Sequence, residues 1–194
     1  MRALNIKILI LIVAVHSATA IHSSATASSG GILRKHSTAA SDTSELYRHI
    51  RNALAFGSKS KDLNILKANI DTAELICIEK NIEFPSSLNL LRAEYFFLTN
   101  DCRSAQQEAT IAMKKSRSNG EMEILAKTMI FMGNYSLRTK FFMESISYFE
   151  NAISIAKKNN LNGIIPLSYY SLADVYDYLG NVKEKRNTLI KLMD

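Results

Sequence analysis

From about residue 43 onward, apolar residues return every three to four positions, with polar and charged residues filling the places between them. That spacing is the mark of amphipathic helices, and its interruptions divide the region into eight. The first two span roughly 43–57 and 61–80, separated by Gly57-Ser58-Lys59-Ser60. The next two are 86–98, introduced by Pro85-Ser86-Ser87, and 102–117, with Thr99-Asn100-Asp101 between them. Ser118-Asn119-Gly120 closes that pair, and 121–138 with 141–158 form a third. After Asn159-Asn160-Leu161-Asn162-Gly163 come 164–179 and 182–193, joined at Gly180-Asn181. Two prolines and seven glycines in 194 residues leave these helices uninterrupted. The expected fold class is all-α, with four antiparallel helix pairs.

A longer period lies over the helical one. Ala53, Ala93, Gly133 and Ala173 recur at steps of 40 residues, and Phe56, Phe96, Ser136 and Tyr176 follow each by three. Small residues at a fixed interval suit close helix crossings, so one helix pair is repeated. A single pair cannot bury its apolar face alone. Such pairs stack into a curved solenoid that offers an extended surface to another macromolecule.

Residues 1–20 have a different character. Arg2 and Lys7 precede the apolar run Ile8–Val15, and the small residues Ala18 and Ala20 follow. This reads as a secretory signal peptide cleaved before Ile21, since eight apolar residues fall well short of the roughly 20 that span a bilayer. The segment 21–42, rich in Ser, Ala, Thr and Gly, is expected to be a disordered linker. The helical domain is then 43–194. The leader holds no acid, so its loss takes the formal charge from +6 to +4. The remaining cations, such as Lys114-Lys115 and Lys157-Lys158, fall near helix ends, where the helix dipole favours them. They form no single stripe of the kind nucleic acid requires, and no nucleic-acid partner is expected.

Met132-Gly133-Asn134 and the stretch Phe142–Ala152 resemble the two helices of a tetratricopeptide repeat, and Leu172-Ala173, Tyr176 and Leu179-Gly180-Asn181 resemble the start of another. Phe96, Asn100-Asp101, Ala105, Ala109 and Ala112 carry the family's large, turn and small positions in the second unit. Ala53, Phe56, Gly57, Ile70 and Ala73 match more weakly in the first. The resemblance covers about 43–194 and implies a right-handed α-solenoid. Its period of 40 exceeds the usual 34, which implies helices about a turn longer. Lys185 and Arg186 stand where small or apolar residues would close the fourth pair, so the last helix is expected to be a solvent-facing cap.

Candidate chemistry is sparse. His49 is the one histidine on an expected helix, the cysteines lack zinc-ligand spacing, and no glycine-rich phosphate loop or nucleophile with a paired base is found. Asp174 and Asp177 fit a solvated acidic patch better than an acid–base or cation-binding pair. No enzymatic activity, cofactor or metal is expected. Cys77 and Cys102 fall at opposite ends of parallel helices, about 20 Å apart along the axis, too far for a disulfide. Cys102 is expected to be buried, and Cys77 to be the one able to pair with another chain.

In tetratricopeptide arrays the first helix of each pair lines the concave groove. The resemblance therefore implies partner-binding residues Glu94 and Phe97 from the second unit, Lys127, Asn134 and Arg138 from the third, and Tyr170, Asp174, Asp177 and Tyr178 from the fourth. Phe97 and Tyr170 have a competing role as packing between helices. The basic clamp that family members use for peptide carboxylates is not matched, because Ile50, Leu54, Leu91 and Phe131 occupy most of its places. The expected function is an exported adaptor that binds a peptide or protein segment, with no stable membrane insertion once the leader is removed. The alternative is a regulatory module that closes on a peptide or small ligand and signals to a membrane partner. Leu189 and Leu192 are expected to expose apolar surface open to self-association.

Overall fold

The structure, a computed structural model, describes residues 43–53 and 63–193. The expected signal peptide, the linker and the turn within 54–62 lie outside the described residues. Among those described are eight helices: α1 (43–53), α2 (Leu63–Glu79), α3 (Ser86–Leu98), α4 (Cys102–Ser118), α5 (Met122–Arg138), α6 (Phe142–Lys158), α7 (Ile164–Tyr178) and α8 (Val182–Met193). From α3 onward their ends lie within one residue of those the periodicity predicts.

The 40-residue period is visible in the backbone. Asn100, Lys140 and Gly180 have φ of 64°, 65° and 67°, and between them Gly120 and Asn160 have φ of 72° and 55°. Each first-to-second turn closes alike. The amides of Asp101, Phe141 and Asn181 donate to the carbonyls of Phe96, Ser136 and Tyr176 at 2.8, 2.8 and 2.9 Å. This is the six-residue closure of a Schellman motif, which needs one left-handed residue. Glycine takes that conformation freely and asparagine tolerates it, whereas lysine is strained there. The next helix then begins with a side-chain cap in two turns of three: Asp101 Oδ1 accepts from the Ser104 amide and Asn181 Oδ1 from the Glu184 amide, each at 3.1 Å. Phe141 holds the equivalent place between them and offers no acceptor.

Packing explains the small residues. A Cβ on Gly133 would stand 2.6–2.9 Å from the ring of Phe149, which is fully buried. The Ser145 hydroxyl donates to the Gly133 carbonyl across the same crossing at 2.8 Å. In the preceding pair the matching places hold Ala93 and Ala109, both fully buried. One crossing sets glycine against a large ring, and the other sets two alanines against each other.

The core runs along the array as three clusters, one shared by α1, α2 and α3, one by α3, α4 and α5, and one centred on α5, α6 and α7. Each helix from α2 to α8 packs on its sequence neighbours. The backbones of the first helices also come close to one another, α3 to α5 and α5 to α7, whereas those of α4 and α6, and of α6 and α8, stay further apart. Toward the N-terminal end, His49 Nδ1 lies 3.1 Å from Asn69 Oδ1 and links α1 to α2.

Three sequence expectations need correction. Cys77 is buried in the first cluster, where desolvation raises its thiol pKa, so it cannot reach another chain. Cys102, expected to be buried, is half-exposed because it opens α4 at a turn. Leu189 and Leu192 are half-buried rather than exposed, with Leu192 packed against the α5–α7 core. Both cysteines are free.

Candidate protein-binding face

Glu94, Asn134 and Asp174 occupy one repeat position on α3, α5 and α7, and the contacts between these helices bring the three into one row. Glu94 is half-buried toward α5, and Asn134 and Asp174 are exposed. Among the described residues none of these side chains has a hydrogen-bond partner. Desolvation pushes the Glu94 carboxyl up to about 7 against the opposing pull of the Lys127 ammonium on α5. Lys127 is itself held by Glu123, one turn earlier on α5, at 2.6 Å. A carboxyl that burial makes slow to lose its proton thus faces a cation engaged elsewhere.

Beside Glu94 lies an aromatic floor. The Phe97 ring meets Phe131 edge to face at 5.6 Å and Tyr135 at 6.1 Å. The Arg138 guanidinium covers it at 4.4 Å, while Arg138 Nη1 donates to the Phe97 carbonyl at 3.1 Å and Nη2 to Asn100 Oδ1. Phe97 therefore packs between helices, and Arg138 ties the last turn of α5 to the end of α3.

The fourth-unit residues are placed differently. Leu90 and Ile130, at the repeat position of Tyr170, are buried, and each belongs to a core cluster that includes the following first helix. Tyr170 has no following first helix among the described residues and stands exposed at the end of the described array. The Asp177 carboxylate lies 2.7 Å from Lys185 Nζ and is turned toward α8, away from the row. Tyr178 is exposed at the last turn of α7. The structure thus gathers Glu94, Phe97, Lys127, Asn134, Arg138 and Asp174 along the first helices. Tyr170 and Tyr178 stand one turn on either side of Asp174 on α7, both exposed, and Asp177 is engaged by Lys185.

One cluster went unread in the sequence. Arg92 Nη1 lies 2.6 Å from Glu74 Oε1, Nη2 lies 2.9 Å from Glu108 Oε1, and the guanidinium stands 5.8 Å from the Phe84 ring centre. Asn89 donates to Glu108 at 2.8 Å, and Lys115 reaches the Phe84 carbonyl at 2.7 Å. This network joins α2, α3 and α4. The signal lay in the repeat itself, since Arg92 occupies the place that Met132 and Leu172 fill with buried apolar side chains.

Among the described residues, fold and face define an all-helical array of sequentially packed, repeated helix pairs, with polar side chains in a row along its first helices. No protein-family model matches the sequence, and no curated protein does either.

Proposed function

We propose that this chain is a non-enzymatic adaptor of tetratricopeptide-like architecture, a right-handed solenoid that binds a peptide or protein segment along the face of α3, α5 and α7. The carrying observation is the row Glu94, Asn134 and Asp174, three side chains without partners at one repeat position. First helices whose backbones lie closer together than those of the second helices suit an array curved with α3, α5 and α7 inside, and an inward curve suits an extended ligand. A backbone amide of such a ligand donates to Glu94 or Asp174, and Asn134 both donates and accepts. The wider reading, export by the N-terminal segment and partnership in an exported complex, belongs to the same proposal.

The test is a peptide selected from a random library against the full chain. Replacing Glu94 with Gln, Asn134 with Ala and Asp174 with Asn, one at a time, should each weaken binding several-fold. Lys114→Ala and Lys158→Ala, on second helices, should leave it unchanged. The reading fails if the control substitutions weaken binding and the row does not.

A further inference from the structure

The two edges of the array differ in a way the groove does not explain. Along the edge carrying the first-to-second turns, windows 98–103, 138–143 and 178–183 occupy the same place in successive units. Exposed apolar side chains cluster there: Leu98, Phe141 (59%), Met143 (76%), Tyr178 (74%), Leu179 and Val182 (74%). The same windows hold the cations Arg103, Arg138, Lys140 and Lys183, and one acid, Asp101, whose carboxylate is engaged in capping α4. Glu144 and Glu184 stand one residue further into their helices, and Asp177, paired with Lys185, stands one residue before its window.

The opposite edge carries fewer of them. Its turns read Asn119-Gly120-Glu121 and Asn159-Asn160-Leu161-Asn162-Gly163, its apolar turn residues Ile82, Phe84 and Leu161 are half-buried, and its exposed apolar side chains, Ile78 and Leu167, stand apart at the end of α2 and the start of α7. Neighbouring helices pack about 8–10 Å apart, so the apolar windows form a row rather than scattered singles. A row of that kind marks a contact surface.

We propose that this turn edge is a peripheral docking surface for an anionic lipid headgroup layer. Aromatic and aliphatic tips enter the headgroup boundary while flanking lysines and arginines meet lipid phosphates, the chemistry of interfacial protein segments. Charge decides between this partner and a second copy of the chain. Arg103, Arg138, Lys140 and Lys183 outnumber Asp101, Glu144 and Glu184 along the edge, which leaves it mildly positive, so a negative membrane surface attracts it and a second identical edge does not. The placement leaves the row Glu94, Asn134 and Asp174 uncovered.

The chain has no tryptophan, so an introduced one reports without background. Full-length Phe141→Trp, Val182→Trp and Leu161→Trp variants are titrated with phosphatidylcholine vesicles, with and without phosphatidylglycerol. The expected result is a blue shift of emission for the first two, on the phosphatidylglycerol vesicles only, and none for Leu161→Trp on the opposite edge. A Phe141→Ser/Val182→Ser variant should lose about tenfold or more in vesicle partitioning, since both apolar tips leave the headgroup boundary. Vesicle binding without a shift at positions 141 and 182 would place the contact elsewhere in the chain and overturn the proposal. An equal shift on neutral vesicles, or no binding to either kind, would overturn it too. A shift that grows with protein concentration without vesicles would assign the edge to self-association instead.

Discussion

A methyl group added at Gly133 would stand 2.6–2.9 Å from three atoms of the Phe149 ring, and the ring is enclosed on every side. Overpacking of this kind costs about 1–3 kcal/mol, offset by about 1 kcal/mol of better helix propensity for alanine. Gly133→Ala should therefore lower the unfolding free energy in urea by up to about 2 kcal/mol. In a Phe149→Leu background the loss should shrink or reverse, because the atoms that clash are gone. Equal losses in both backgrounds would place the crossing elsewhere. Glu94 offers a test by pH. Its folded carboxyl titrates at about 7, above the ordinary 4.5, so between those values the native state holds the proton more tightly than the unfolded chain. Its contribution to stability is full below about pH 4.5 and is lost as pH rises through 7. Glu94→Gln should flatten that fall, so the stability difference, wild type minus variant, should decline from pH 4.5 to 7 and level off above. A difference independent of pH would mean that the carboxyl is not desolvated.

Among the elements, the turn between α5 and α6 is the weakest version of a motif used three times. Lys140 takes a left-handed conformation that Gly180 and Asn100 take more easily at the same place. The strain is about 1–2 kcal/mol for a side chain of this kind, less about 0.5–1 kcal/mol for the added freedom of glycine when unfolded. Lys140→Gly should raise stability by about 0.5–1 kcal/mol, whereas Asn100→Gly should change it less; thermal unfolding of the two variants checks the order. At the next residue Phe141 stands where Asp101 and Asn181 cap their helices, and Phe141→Asp should add about 1 kcal/mol. A loss of stability would show that the Phe141 ring makes packing contacts that outweigh a cap. Helix ends were legible in the sequence because turn residues such as Asn100-Asp101 and Gly180-Asn181 are chosen by backbone conformation, a local property. Burial at an element's end was less legible. Cys102 and Leu192 were misplaced because exposure there depends on which neighbouring helix covers the turn.

Across the whole molecule, the 40-residue step seen in Ala53, Ala93, Gly133 and Ala173 returns as repeated turns and close crossings, so the architecture was readable from one chain. The candidate site was readable only as a set of repeat positions. Arg138 was expected in the binding set, yet it is engaged by Phe97 and Asn100, and Asp177 by Lys185. Those partners lie on other helices or beyond a turn, and no spacing rule announces them. Tyr170 shows the same limit: its repeat position is buried in earlier units and exposed in the last. The array also predicts uneven stability, because each unit is held by its neighbours. Thr188 is the one described side chain fully covered on α8, so amides of α8 should exchange with solvent faster than those of α5 and α6, which pack on both sides.

Hydrogen exchange read by mass spectrometry, on the full chain with and without a library-selected peptide, tests the central claim most directly. Bound peptide should slow exchange on α3, α5 and α7, at Ser86–Leu98, Met122–Arg138 and Ile164–Tyr178, and leave α4 and α6 unchanged. Protection confined to α4 and α6, or to the turns between helices, would contradict the assignment of the first-helix face as the binding surface.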